Sequence, residues 1–217
     1  MRIIAGKYRR RKLLANSGMT TRPITDRVKE PLFERLTSRL EDARVADVFA
    51  GTGTLGLEAL SRGARSVVFI EQDRKAFDLL QKNVEAIGCS DDCLCWRTDA
   101  MRSSFRPRNV GDFIPFDLVF FDPPYRMIEG LSAGSPLYRA LERLSRPTVS
   151  ADGAWLCLRT PERSVFDLPP TWIIERKLTM SNMDILLCLL DRAGLEGEEE
   201  QTAQDQTYLE ESFDDEE

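Results

Sequence analysis

A glycine-rich turn between an apolar strand and a helix constrains this 217-residue chain more than any other feature. The turn lies in Asp47-Val-Phe-Ala-Gly51-Thr-Gly53-Thr-Leu-Gly56, and an apolar run leads into it. Glycines at such a turn let backbone N–H groups lie against a bound nucleoside. The pattern predicts an α/β fold whose cofactor site is built mainly from backbone, at Phe49, Ala50, Gly51, Thr52 and Gly53.

Two carboxylates near the turn bear on which cofactor it holds. Glu71 follows a second apolar run, 66–70. In dinucleotide-binding folds an acidic residue at this position binds the ribose, so an NAD-dependent oxidoreductase stays an alternative. Asp47 lies four residues before Gly51, within reach of a cationic amino acid group. S-adenosylmethionine carries an ammonium and a sulfonium there, whereas NAD has no comparable group. The pattern therefore favours S-adenosylmethionine over NAD, with a turn that binds no ligand as the remaining alternative.

A second motif, Asp122-Pro123-Pro124-Tyr125, follows the apolar run 116–121. A carboxylate and a proline carbonyl can each accept one N–H bond from an exocyclic amino group and so direct its lone pair towards a methyl donor. Proline has a fixed φ and no competing N–H, and an aromatic ring offers a stacking surface for a base taken out of its stack. The alternative is a proline-rich turn that ends a strand. Behind the glycine turn, the motif predicts direct methyl transfer to a flipped base, with Asp122, Pro123, Pro124 and Tyr125 as the catalytic residues.

Composition narrows the function classes. The chain has no histidine, which excludes Ser–His and Cys–His nucleophilic catalysis. Its apolar runs are too short to span a bilayer, so we expect a cytoplasmic protein with no membrane partner. Five cysteines without a histidine partner predict reduced thiols and no metal site: Cys89, Cys93, Cys95, Cys157 and Cys188.

Charge is unevenly distributed along the chain. From Gly194 onward there are eleven acidic residues and no Lys or Arg, which predicts a disordered acidic tail. The rest of the chain carries 30 basic against 25 acidic residues, the total of 36 less the 11 of the tail. Residues 2–14 alternate like a β-hairpin with Gly6-Lys7 at its turn, and this basic arm predicts phosphate binding, with a solvated charged edge as the alternative. The expected RNA-binding residues are Arg2, Lys7, Arg9, Arg10, Arg11, Lys12, Arg22 and Arg27.

Strand and helix patterns alternate between these landmarks. Strands are expected at 45–49, 66–70, 94–97, 117–121, 154–159, 171–178 and 183–190, and helices at 31–40, 55–62, 74–87 and 137–144. Pro31 is expected to be the first residue of its helix. The pattern predicts a doubly wound, mostly parallel seven-stranded sheet with one reversed strand. The expected division is a basic arm at 1–30, a catalytic domain at 31–193 and the tail at 194–217.

On four segments the chain resembles the RsmD family of bacterial 16S rRNA guanine-N2 methyltransferases. The segments are Met1-Arg-Ile-Ile-Ala-Gly-Lys7, residues 21–30, residues 47–60 and Asp122-Pro-Pro-Tyr125, and the resemblance runs from Met1 to about Arg192. It implies a class I, Rossmann-like S-adenosylmethionine methyltransferase. It also implies a substrate guanine in small-subunit rRNA, methylated on partly assembled subunits. We expect the protein to be a monomer.

The resemblance also implies roles for single residues. Residues 22–27 would border both cofactor and RNA, Glu71 would hold the ribose hydroxyls, and Asp99 would bind the adenine amino group. Gln72, Ala100 and Asp122 complete the expected cofactor set. The acidic tail has no counterpart in the family pattern. The residues themselves leave open an N6-adenine methyltransferase acting on DNA or RNA, and a non-catalytic RNA-binding assembly factor.

Overall fold

The computed structural model describes residues 1–15, 24–108, 111–180 and 182–193. Arg22 of the expected RNA-binding set and the acidic tail from Gly194 lie outside these ranges. Within them, no helix is long and apolar enough to cross a membrane.

A seven-stranded sheet forms the centre of the protein. Its strands are β1 Arg44–Val48, β2 Ser66–Ile70, β3 Cys93–Trp96, β4 Phe116–Phe121, β5 Ser150–Pro161, β6 Trp172–Met180 and β7 Met183–Leu190. The spatial order is β3-β2-β1-β4-β5-β7-β6. Strands β1 to β5 pair in parallel, and β7 runs antiparallel to both of its neighbours, β5 and β6. This confirms the predicted doubly wound sheet with one reversed strand.

Helices cover both faces of the sheet. They are α1 Asp26–Leu36, α2 Thr54–Ser61, α3 Arg74–Ile87, α4 Tyr125–Ile128 and α5 Pro136–Leu144. The N-terminal segment and α1, α2 and α3 share one apolar cluster with one face of the sheet. The other face packs against α4, α5 and the segment that contains Phe105. The apolar faces of the sheet strands are thus buried on both sides, as a doubly wound sheet requires.

The first helix does not begin at Pro31, so that prediction was wrong. Helix α1 begins at Asp26 and runs through Pro31. An interior proline lacks the N–H that would bond to the carbonyl of Arg27, at a cost of about 3 kcal/mol. Val28 and Phe33 are at most 1% exposed on the same helix. Burying side chains of this size stabilises by about 1.5–3 kcal/mol each, so packing outweighs the lost bond.

The basic N-terminal segment, residues 1–15, folds back on itself and packs against α2. A single β-bridge pairs Arg2 with Lys12, and the backbone N–H groups of Ile4 and Ala5 donate to the carboxylate of Glu58 at 2.8 and 3.1 Å. At the turn, Gly6 has a φ of +81°, and a Cβ there would lie 1.7 Å from the backbone oxygen of Ser61. Only glycine permits this approach. The division expected at residue 30 falls inside α1.

Candidate active site

The carboxyl ends of β1 to β4 bring the predicted site residues together. The N–H of Ala50, after β1, donates to the carbonyl of Ile70 at the end of β2 at 3.0 Å, and the N–H of Asp122 donates to the carbonyl of Val48 at 3.2 Å. The N–H of Glu71 reaches the carbonyl of Trp96 in β3 at 3.3 Å. Asp47, Glu71, Asp99 and Asp122 thus lie on the strand ends at one edge of the sheet, where doubly wound folds bind their ligands.

The glycine turn is held in left-handed conformations by its neighbours. Phe49, Gly51 and Gly53 have φ of +64°, +56° and +82°. The carboxylate of Glu71 accepts from the N–H of Gly51 at 2.7 Å and from the N–H of Asp73 at 2.7 Å. Phe49 is the only one of the three with a Cβ, and such a residue costs energy in this region, as often occurs at functional sites. Glu71 therefore orders the turn as well as lying beside it.

Two of the glycines serve packing within the protein. A Cβ on Gly53 would lie 2.5 Å from Cδ1 of Leu80, and a Cβ on Gly56 would lie 2.4 Å from Cε1 of Phe69. Both positions face the side chains between the sheet and α2 and α3. The two glycines thus let the turn and helix approach the sheet closely, which is one of the roles of glycine in such turns.

Asp47 is a buried carboxylate beneath the turn. It is 1% exposed, and its Oδ2 accepts from the N–H of Gly56 at 2.8 Å. Burial, followed by the charges of Asp122 and Glu71, raises the pKa of Asp47 to about 8. Among the described residues, no Lys or Arg pairs with it. A cationic ligand group beside Asp47 would stabilise its ionised form, so the position fits the amino acid end of S-adenosylmethionine.

The expected adenosine end lies at β2 and β3. Glu71 is buried, and burial raises its pKa. Each of its oxygens already accepts one backbone N–H and keeps a second lone pair, which suits ribose hydroxyls. Asp99 is half-buried, and its Oδ1 accepts from the N–H of Met101 at 2.8 Å. Gln72 is exposed and Ala100 is buried. The binding roles of these residues stay predictions.

Asp122 forms an ion pair that the sequence did not predict. Nε of Arg159 donates to Oδ1 of Asp122 at 2.6 Å, with the two side chains 8% and 16% exposed. The guanidinium of Arg159 also lies 5.6 Å from the centre of the Tyr125 ring. Burial raises the pKa of Asp122, and the charge of Arg159 opposes that rise. The sequence contains one indication of this pair, because Arg159 directly follows the apolar run 154–158.

The two prolines of the motif have different surroundings. The carbonyl of Pro124 accepts from the N–H of Met127 at 2.8 Å, where α4 begins. Within the described residues, the carbonyl of Pro123 accepts no backbone hydrogen bond outside the regular helices and strands. The carbonyl of Pro123, a buried residue, therefore stays the candidate acceptor for an N–H of a substrate. Tyr125, the first residue of α4, is half-buried beside it.

Most of the predicted RNA-binding residues lie on the N-terminal segment, which approaches the glycine turn at Leu14. Nε of Arg2 donates to Oδ2 of Asp26 at 2.9 Å, so this arginine is partly committed within the protein. The segment is tied to the cofactor turn by Asn83, whose Nδ2 donates to the carbonyls of Leu14 and Thr52 at 3.1 and 2.9 Å. The other described members of the set are exposed: Lys7, Arg9, Arg10, Arg11, Lys12 and Arg27.

This strand order, with a glycine turn after β1 and carboxylates at the ends of β1 to β4, defines a class I methyltransferase whose cofactor is S-adenosylmethionine. The structure matches a solved protein described as a putative methyltransferase, yhhF, from Escherichia coli, with a TM-score of 0.72 and 33% identity, covering 88% of this chain and 98% of that one. An RNA methyltransferase from Salinibacter ruber, solved with S-adenosyl-L-homocysteine, shares the fold at a TM-score of 0.58, 15% identity, and 79% and 95% coverage.

Sequence comparison gives the family. A family model described as Conserved hypothetical protein 95 matches residues 1–187. The Ribosomal RNA small subunit methyltransferase D of Escherichia coli K12 is 41% identical over 178 residues, 82% of this chain and 83% of that protein. The protein of the same name from Haemophilus influenzae is 39% identical over 130 residues, 58% of this chain and 64% of its own length. The chain belongs to this RsmD family of methyltransferases.

Proposed function

We propose that the chain methylates the exocyclic N2 amino group of one guanine in 16S rRNA, with S-adenosylmethionine as methyl donor. The observation that carries the proposal is the pair of hydrogen-bond acceptors at the end of β4, the carboxylate of Asp122 and the carbonyl of Pro123. The names of the relatives support small-subunit rRNA as the substrate. The family resemblance favours guanine, since the two acceptors suit the amino groups of guanine and adenine alike.

In the proposed reaction the two acceptors hold the amino group and direct its lone pair. Arg159 occupies Oδ1 of Asp122, which leaves Oδ2 for one N–H, and Pro123 takes the other. The ring of Tyr125 offers a surface for the flipped base, and base–aromatic stacking contributes about 1–3 kcal/mol. When bound, the cofactor supplies an electrophilic methyl group on a sulfonium. The nitrogen–methyl bond forms as the sulfur–methyl bond breaks, and the surplus proton on nitrogen passes to solvent.

The remaining predicted roles follow from position. Asp47 would face the amino acid end of the cofactor, and Glu71 and Asp99 would bind its adenosine. The exposed basic residues of the N-terminal segment would contact phosphates near the flipped base. We expect the protein to act as a monomer in the cytoplasm, on partly assembled small subunits.

The test is methyl transfer in vitro. The full chain is incubated with labelled S-adenosylmethionine and small subunits or 16S rRNA from cells that lack the enzyme, and the RNA is digested to nucleosides. We expect label in N2-methylguanosine, and a rate lower by about 10²-fold or more in Asp122→Ala. Label in N6-methyladenosine would show the adenine alternative instead. RNA binding without transfer would show a non-catalytic assembly factor.

A further inference from the structure

The connection that follows β3 carries a second concentration of positive charge. Residues 97–108 contain four arginines, all exposed, and a single acidic residue, Asp99. Among the described residues, none of the four forms an ion pair. They are Arg97, Arg102, Arg106 and Arg108. Their charge is therefore not neutralised by the part of the protein that the structure describes.

The protein holds this connection in place from below. The side chain of Arg143, on α5, donates to the carbonyls of Ala100, Met101 and Ser103 at 3.3, 2.7 and 2.8 Å. Phe105 is fully buried in the cluster on this face of the sheet, and the guanidinium of Arg143 lies 5.8 Å from its ring centre. The backbone that carries the exposed arginines is thus anchored at several points, so a ligand would not have to order it on binding.

Helix α5 and the residues that follow it extend the same surface. Arg139 and Arg146 are exposed on either side of Arg143 along the chain. Burial lowers the pKa of Arg143, and the charges of Arg146 and Arg139 lower it further, opposed by those of Glu142 and Asp99. These charges are therefore close enough to interact. We call the six exposed residues the loop surface: Arg97, Arg102, Arg106, Arg108, Arg139 and Arg146.

The loop surface begins at the candidate site and lies on the opposite face of the sheet from the basic N-terminal segment. Asp99 stands after β3 at the edge of the sheet where the site lies, and Phe105 and α5 pack in the cluster on the second face. Ile3, Tyr8 and Leu13 anchor the N-terminal segment in the cluster on the first face. Each face of the sheet therefore carries a basic surface.

We propose that the loop surface binds phosphate groups of the substrate rRNA, so that the RNA is held on both sides of the site. The inference rests on the proposed function, because it assigns a second contact surface to the same substrate. All six basic residues are arginines, whose planar guanidinium can donate two parallel hydrogen bonds to one phosphate. Such contacts fix the position of the nucleic acid without reading its sequence.

The test compares three variants that each lose three positive charges. The first is Arg102→Gln/Arg106→Gln/Arg108→Gln on the loop surface. The second is Arg9→Gln/Arg10→Gln/Arg11→Gln on the N-terminal segment. The control is Arg35→Gln/Arg39→Gln/Arg65→Gln, whose residues are all exposed. Arg35 lies in the last turn of α1, Arg39 follows that helix, and Arg65 directly precedes β2. For each protein, affinity for 16S rRNA is measured across a salt series, and S-adenosylmethionine affinity by calorimetry.

We expect the loop-surface variant to bind rRNA roughly tenfold more weakly than the parent. A plot of log K against log salt concentration should also be less steep, by about two to three. The control should keep the parent affinity and slope, and all variants should bind S-adenosylmethionine within about twofold of the parent, as expected for an unchanged site. Should the triple variant fail to fold, Arg106→Gln alone should lower the slope by about one.

Two results would overturn the inference. One is a folded loop-surface variant with the parent affinity and salt slope. The other is a control variant that weakens binding as much, because the effect would then reflect net charge and not position. A parent chain that neither binds nor methylates small-subunit rRNA would overturn the proposed function itself and, with it, the assignment of this surface to RNA.

Discussion

Nε of Arg159 lies 2.6 Å from Oδ1 of Asp122, although the two residues are 37 positions apart in the chain. The contact arises because β4 and β5 pair with Phe121 opposite Leu158, which sets the next residue of each strand side by side. The ion pair is almost buried, so one oxygen of the carboxylate has a fixed orientation. Arg159 thereby positions Asp122 and opposes the rise that burial causes in its pKa.

The first prediction concerns the pH dependence of methyl transfer. Asp122 must be ionised to accept an N–H with either oxygen, so activity should fall as the pH drops through its pKa. Arg159→Gln removes the charge that lowers this pKa, and the acidic limb of the kcat profile should therefore move to higher pH. Arg159→Lys keeps a positive charge and should move the limb less. Profiles of kcat against pH for the three proteins measure both shifts.

Substrate affinity provides the check on this role. Arg159 acts through Asp122, so Arg159→Gln should lower kcat more than it raises KM for RNA. An Arg159→Gln variant whose acidic limb coincides with that of the parent would show that the ion pair only stabilises the fold. Thermal unfolding of each variant reports that structural contribution separately.

The second prediction concerns the ring of Tyr125. Tyr125→Ala removes the stacking surface for the flipped base, and losing about 1–3 kcal/mol should slow transfer by roughly fivefold to 200-fold. Tyr125→Phe keeps the ring beside the guanidinium of Arg159 and should retain most of the rate. Single-turnover transfer to 16S rRNA measures the two variants. Equal losses in both would assign the function to the hydroxyl group instead.

The third prediction follows from the buried carboxylate of Asp47, whose pKa of about 8 lies far above its value of about 3.9 in an unfolded chain. A raised pKa means that the folded state binds the proton more tightly. Its contribution to stability is therefore present below pH 4 and is lost as the pH rises through about 8. Asp47→Asn removes this dependence, so the variant should gain stability relative to the parent between pH 5 and pH 9.

Urea unfolding of the ligand-free proteins at several pH values tests the third prediction. A difference in the free energy of unfolding that stays constant across this range would contradict the raised pKa. S-adenosylmethionine should also release a proton from the parent at pH 6.5, because a cationic group beside Asp47 favours its ionised form. Calorimetry in buffers of different ionisation enthalpy measures that proton, and Asp47→Asn should not release it.

Local patterns were sufficient to predict much of the fold. Strand β2, helix α3 and strand β7 have the predicted bounds, 66–70, 74–87 and 183–190. For α3, the limits coincide with sequence features that end helices, since the side chain of Asp73 accepts from the N–H of Ala76 and Gly88 adopts a left-handed conformation. Such features act within a few residues and can be read without knowledge of the fold.

The contacts that were not predicted depend on tertiary packing. Helix α1 continues through Pro31 because residues on both sides of it are buried against the sheet. The pairing of Arg159 with Asp122 depends on strand register, and Asn83 reaches both Leu14 and Thr52 only once α3 has docked. Local sequence patterns cannot identify these partners, because the two residues of each pair lie more than 30 positions apart in the chain.

The last prediction concerns the ion pair between Lys29 and Glu58. Nζ of Lys29 lies 3.4 Å from Oε2 of Glu58, and both side chains are fully buried. Nζ of Lys29 also donates to the carbonyl of Arg2 at 2.7 Å, so the ion pair joins α1, α2 and the N-terminal segment. Burial lowers the pKa of Lys29, and the charge of Glu58 opposes this change.

Lys29→Met removes one of the two cations beside Glu58, which keeps its ion pair with Arg62 at 2.8 Å. It also leaves the carbonyl of Arg2 without its donor, so the variant should lose about 1.5–3 kcal/mol. The control is Arg44→Met, which breaks the pair with Asp117, whose side chains are 26% and 34% exposed. Partly exposed pairs contribute about 0–1 kcal/mol, so the control should unfold close to the parent. Chemical denaturation at pH 7 measures both. Equal losses in Lys29→Met and the control would mean that the buried pair contributes no more than an exposed one.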